Sequence, residues 1–139
     1  MKILFVCTGN TCRSPMAAAL AKSIFEENNI NVAVYSAGVS AWDGQPASGH
    51  AITTMSENDI DLQMHISQRI STKLLNNAEL VFAMTNQHLA AIKSVCPTVN
   101  AFALNVSDPF GGDLATYRQT AAEIKQKILS YLDEIQEVL

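Results

Sequence analysis

The sequence predicts an α/β fold, a three-layer sandwich in which a four-stranded parallel sheet is flanked by helices. Three observations carry the prediction. Short apolar runs recur along the chain, as expected of strands buried on both faces. Stretches with helical composition or period lie between them. Strand and helix alternate from the first residues to the last, the order that builds a parallel sheet with its ligand site at the carboxyl ends of the strands.

Residues 2 to 6 read as the first strand, bounded by a loop rich in Thr, Gly and Asn. Ser14-Pro15 then offers an N-cap and a first-turn proline, and the Ala-rich stretch from Met16 to about Glu27 has high helix propensity, ending at Asn28-Asn29. Val32 to Ser36 is the second strand, closed by Ala37-Gly38, and Ser40 to Pro46 is loop. A short helix is expected over about Ser48 to Asn58, irregular structure over Asp61 to Arg69, and a helical turn near Ser71 to Asn76. Leu80 to Met84 reads as a strand, Asn86 to Val95 as a helix, and Val99 to Leu104 as the fourth strand, running into Ser107-Asp108-Pro109. From about Asp113 to Val138, Leu114, Tyr117, Ala121, Ile124, Ile128, Leu132 and Ile135 recur at three- and four-residue steps and predict one long amphipathic helix.

Residues 1–139 fit one domain with a core that needs no staples. A net charge of −4 argues against a nucleic-acid partner, which calls for clustered Lys and Arg. No apolar stretch approaches the roughly 20 residues of a spanning helix, and the N-terminal apolar run is too short for a signal peptide, so no membrane partner and a cytoplasmic location are expected. Three cysteines, an odd count, do not make a secreted disulfide framework and leave thiols available.

The informative segment is Val6-Cys7-Thr8-Gly9-Asn10-Thr11-Cys12-Arg13-Ser14-Pro15, which leads from strand to helix. Such a loop can curl until the backbone N–H groups of Thr8, Gly9, Asn10, Thr11, Cys12 and Arg13 converge, and the helix behind adds the positive end of its dipole. That makes a phosphate cradle. Arg13 adds a planar fork for two phosphate oxygens, Cys7 faces the same donors in a setting that favours thiolate, and Ser14 can offer its hydroxyl to the sulfur. Gly9 and Asn10 suit the positive φ such a loop needs. A P-loop NTPase is excluded because no Gly-Lys-Ser/Thr ends the loop. A zinc site on Cys7 and Cys12 finds no ligand spacing among His50, His65 and His88, so neither metal nor cofactor is expected. Asp108, held beside Pro109, is the carboxylic acid that can protonate a departing atom and then activate water, with an Asx turn as the plainer reading.

Residues 3 to 15 resemble the N-terminal signature of the low-molecular-weight protein-tyrosine-phosphatase family, and Tyr35-Ser36-Ala37-Gly38, Trp42, His65, Ala83-Met84-Thr85 and Asp108-Pro109 follow in that family's order. The resemblance implies a flavodoxin-like topology and hydrolysis of phosphorylated protein substrates through a cysteinyl-phosphate. It implies catalytic roles for Cys7, Arg13 and Asp108, a loop-holding network of Asn10, Ser14, Ser36 and His65, and Trp42 at the pocket mouth, in a loop one residue shorter than usual before the proline. Trp42 as a hydrophobic plug is the plainer reading. It also implies a reversible disulfide between Cys7 and Cys12 that shields the nucleophile.

Two features bear on substrate. Thr11 stands where tyrosine-directed members usually carry an apolar β-branched residue, and a threonine there resembles the bacterial protein-arginine-phosphatase branch. Asp108-Pro109-Phe110-Gly111-Gly112 likewise departs from the tandem tyrosines of many tyrosine-directed members. Phosphoarginine is therefore the expected substrate, with Thr11, Trp42 and Phe110 setting selectivity and phosphotyrosine as the alternative. A thioredoxin-coupled arsenate reductase would need a cysteine pair where this chain has Ala83-Met84-Thr85, and a non-catalytic phosphoprotein-binding module would not need Cys7 and Asp108 together.

Overall fold

In a computed structural model, which describes residues 1–138, the chain opens with β1 (Lys2–Cys7), and residues Ile3 to Cys7 are all 3% exposed or less. It continues through α1 (Arg13–Glu27), β2 (Ala33–Gly38), α2 (Gly49–Glu57), α3 (Thr72–Asn77), β3 (Leu80–Ala83), α4 (Asn86–Val95), β4 (Ala101–Ala103), α5 (Leu114–Ser130) and α6 (Leu132–Val138). The strands pair in the order β2-β1-β3-β4, all parallel, which is the expected sheet in its flavodoxin-like arrangement.

Alternation along β1 divides the core in two. Ile3, Phe5 and Cys7 face one side and pack with α1, α2, α5 and α6, while Leu4 and Val6 face the other and pack with α3 and α4. Both faces are covered, which explains why the strands read as continuous apolar runs rather than alternating ones. The order 2-1-3 reverses the winding at β1, so the crevice at its carboxyl end, where Cys7 lies, is the switch point of the sheet.

Helix caps separate α1 from the others. Ser48, Ser71, Thr85 and Asp113 each accept, through the side chain, the backbone N–H three residues on, capping α2, α3, α4 and α5. At α1 the N-cap is Cys12, with no side-chain cap. The helix thus begins at Arg13, one residue before the predicted cap, because Ser14 is turned inward toward Cys7. Pro15 still falls in the first turn, where its missing N–H costs nothing.

The predicted long C-terminal helix is two. Tyr131 ends α5 with its N–H on the Ile128 carbonyl, and its ring packs edge-on against Phe82 at 5.3 Å, across the sheet face. α6 then resumes with Ile135 buried. The apolar period runs through the break, which is why the sequence does not announce it. β4 is shorter than predicted, but Leu104 and Val106 continue to donate to the carbonyls of Ala83 and Met84, carrying the chain along β3 to Asp108.

Candidate active site

Between the end of β1 and the start of α1, the chain curls around one buried residue. Asn10 has a left-handed φ of 57° and no exposed surface. Its Nδ2 donates to Ser14 Oγ at 2.8 Å and Ser36 Oγ at 2.9 Å, and its Oδ1 accepts from the Gln68 N–H at 2.9 Å. His65 Nε2 lies 2.7 Å from the Asn10 carbonyl, which can only accept, so that nitrogen carries the hydrogen. The structure thereby brings together the four residues expected as a loop-holding network. Gln68, which also donates to the Ser36 carbonyl at 2.9 Å, was not foreseen, because nothing in an irregular segment marks a glutamine as structural.

Gly38 is the second residue that shapes the loop. A Cβ built there would collide with the Thr8 carbonyl and stand 3.0 Å from the Asn10 nitrogen, so β2 approaches the loop as closely as only glycine permits. Gly9 differs from expectation. Its φ is not in the left-handed region, and a Cβ there would make only an ordinary contact with Thr11 Oγ1 at 3.8 Å.

The Cys7 sulfur is buried against this frame, 2.9 Å from Ser14 Oγ and accepting the Asn10 N–H at 3.3 Å. Arg13, 5% exposed, donates from Nη1 to the Val106 carbonyl at 3.1 Å, which aims the remaining face of the guanidinium at the cleft. Asp108 Oδ2 stands 3.6 Å from Arg13 Nη2, on a side chain that is 57% exposed. The Asx turn is real as well, since Asp108 Oδ1 accepts from the Phe110 N–H at 3.0 Å and leaves Oδ2 toward Arg13. Glu123 of α5 accepts from the N–H and hydroxyl of Ser107 and pins this segment, a contact the sequence does not signal.

A cleft of about 300 Å³ results, lined by residues 7 to 9 and 11 to 13 with Asp108 and Phe110. Thr11 and Phe110 belong to its wall. Trp42 does not line it; at 83% exposed it is no hydrophobic plug either, and its segment is tied down through its carbonyl by Ser67. Cys12, although it contributes to the cleft lining, is largely buried, its sulfur 3.3 Å from the Tyr117 hydroxyl and 3.6 Å from Ser48 Oγ. Burial and the bond to Cys12 hold the Tyr117 phenol above its ordinary pKa. Cys7, Cys12 and Cys96 are all free thiols. His88, which carried no role in the sequence, packs under the loop with Nε2 2.7 Å from Thr8 Oγ1. Among the described residues there is no group of three or more His, Cys, Asp and Glu side chains able to hold a metal, and no helix is long and apolar enough to cross a membrane.

The uncapped start of α1, the Asn10 N–H aimed at the Cys7 sulfur and the buried Arg13 guanidinium meet at one cleft, a setting that suits an anion and a thiol nucleophile. Those features define a cysteine-dependent phosphatase of the α/β class. The chain belongs to the low molecular weight phosphotyrosine protein phosphatase family, whose model matches residues 2–138. A protein-arginine-phosphatase of Bacillus subtilis is 44% identical over 137 residues, with 91% of each chain covered. The low molecular weight protein-tyrosine-phosphatase PtpB of Staphylococcus haemolyticus is 34% identical, covering 89% of this chain and 92% of its own. Among solved structures, a Cys-to-Ser mutant of YwlE arginine phosphatase with a phosphorylated active-site serine superposes with a TM-score of 0.92 at 40% identity, covering 98% of this chain and 96% of the other.

Proposed function

We propose that this protein hydrolyses phosphoarginine on proteins, through a phosphoryl group carried on Cys7. The single observation that supports it best is the Cys7 sulfur, fixed by Ser14 and the Asn10 amide inside a cleft that also holds Arg13, Thr11 and Asp108. In this reading the sulfur attacks phosphorus as the bond from phosphorus to the guanidine nitrogen breaks, and Asp108 gives its proton to that nitrogen. Water then attacks the cysteinyl-phosphate, Asp108 takes the water's proton, and Ser14 supports the departing sulfur. Arg13 and the amides of residues 8 to 13 hold the phosphoryl oxygens through both steps.

Two observations support the guanidinium over a phenol as leaving group. Thr11 and Asp108 both line the cleft, so its wall includes a residue with a hydroxyl suited to a substrate rich in N–H donors, and the similar chains named above include arginine phosphatases. Reversible pairing of Cys7 with Cys12, in a cytoplasmic setting that keeps thiols reduced, is part of the same reading.

The test compares turnover of phosphoarginine and phosphotyrosine peptides by the native chain and by Thr11→Ile. The native chain is expected to prefer phosphoarginine, and the variant to move the ratio toward phosphotyrosine by about 10-fold, the scale of one polar contact made or lost. Equal ratios in the two proteins would remove Thr11 from the argument, and a native preference for phosphotyrosine would overturn the substrate.

A further inference from the structure

His88 has no part in the chemistry above, yet the residue is 6% exposed and both of its ring nitrogens meet hydroxyls. Nε2 lies 2.7 Å from Thr8 Oγ1, and Nδ1 lies 3.0 Å from Thr85 Oγ1. Thr85 is the N-cap of α4, and its Oγ1 already accepts the backbone N–H of His88 at 3.3 Å. The Thr85 hydroxyl keeps a hydrogen that it can give to the Nδ1 lone pair and a second lone pair that could accept from Nδ1–H, and the first arrangement leaves Nδ1 bare. A neutral imidazole that accepts at Nδ1 carries its hydrogen on Nε2. Burial first, and then the positive charge of Arg13, hold His88 below the ordinary histidine pKa and favour that neutral form, against a smaller opposing effect of Asp108.

The direction of the next bond follows. With Nδ1 bare, Nε2–H donates to Thr8 Oγ1, and the Thr8 hydroxyl hydrogen is then not used on His88. Thr8 is exposed, lines the cleft beside Cys7, and has a free hydrogen to offer an anion there. The cap of a helix on the opposite side of the sheet switch point thus sets the polarity of a hydroxyl in the phosphate cleft.

We propose that His88 is a positioning residue whose Nε2–H fixes the Thr8 hydroxyl as a side-chain donor to a phosphoryl oxygen in the cleft. Its value for turnover rests on the phosphatase reading, but the contact itself is to phosphate and is tested with phosphate. Inorganic phosphate binding to the full chain is measured by calorimetry for the native protein, Thr8→Val, His88→Leu, the double variant and Thr8→Ser. Thr8→Val and His88→Leu are each expected to weaken binding by about 10-fold, the double variant no further than either, and Thr8→Ser to bind as the native chain does. Unchanged affinity in Thr8→Val, or losses that multiply in the double variant, would overturn the proposal.

A second measurement needs no variant. Long-range proton–nitrogen spectra of the native protein are expected to show His88 protonated on Nε2 and bare on Nδ1, and the opposite tautomer would overturn the proposal even if His88→Leu does not fold. The two readings also fail separately. Phosphate binding that follows these predictions in a protein without turnover on phosphorylated peptides would sink the phosphatase reading alone, whereas full turnover with native phosphate affinity in Thr8→Val would sink the role of His88 alone.

Discussion

The floor of the cleft and its rim are built by opposite means. On the floor, Asn10 and Ser14 have no exposed surface and Arg13 is 5% exposed, and hydrogen bonds tie them to one another, to β2 and to the Val106 carbonyl. At the rim, Phe110 is 83% exposed, and the Asp108 side chain, 57% exposed, is held by one turn and one long contact to Arg13. The difference separates two tasks. A phosphoryl group is recognised by a frame whose geometry is over-determined, while the group that phosphorus departs from is met by side chains free to differ without disturbing the fold. Changes at the rim should therefore alter turnover and leave stability alone, and changes on the floor should alter both.

Asp108→Asn puts the largest strain on that division. The amide oxygen can keep the Asx turn to Phe110, but the side chain no longer holds a proton to deliver, so kcat on phosphorylated peptides should fall about 100-fold or more. The melting temperature should stay within about 2 °C, since an exposed side chain with its turn intact contributes little to folding. A large loss of melting temperature would show that the rim is part of the frame.

Asn10→Ala attacks the floor. It removes both Nδ2 donors and the Oδ1 acceptor, leaving Ser36 Oγ and the Gln68 N–H without these partners, and it forces a β-carbon without a polar side chain to keep a φ of 57°. The expected cost is about 2–3 kcal/mol, or roughly 10 °C in melting temperature, together with a loss of phosphate affinity. Native stability with lost turnover would put Asn10 in the same category as Asp108 and break the contrast.

The sequence shows the floor better than the ties that hold it. Cys7, Arg13 and Asp108 are legible because each is a rare chemical type at a position the strand-to-helix pattern already marks, and the apolar runs of β1 and β3 read plainly because both sheet faces are covered. Gln68, Gly38, Glu123 and Tyr117 are common residues whose meaning lies in contacts across long sequence separations, from 16 residues for Ser107 with Glu123 to 105 for Cys12 with Tyr117. Local pattern carries no trace of such pairs. The break at Tyr131 escaped for a related reason. The break is marked by the Tyr131 cap and by its ring lying against Phe82, neither of which interrupts the helical period on either side.

The smallest expected effect concerns pH, and it tests whether His88 belongs with the floor. Burial and Arg13 place its folded pKa below the ordinary value of 6.5, so between the two pKa values the unfolded chain binds a proton that the folded chain does not. Stability is then fully present above about pH 6.5 and declines as pH falls toward the folded value. His88→Gln, which cannot titrate, should flatten that part of the curve relative to the native protein, in chemical unfolding measured from pH 7.5 down to pH 5. The groups whose charge bears on the ring are Arg13 and Asp108, and Asp108→Asn should steepen the native decline slightly by removing the charge that favours the protonated form. If His88→Gln and the native chain lose stability in parallel, the imidazole is as accessible to protons in the folded state as in the unfolded one, and it belongs with the loosely held rim.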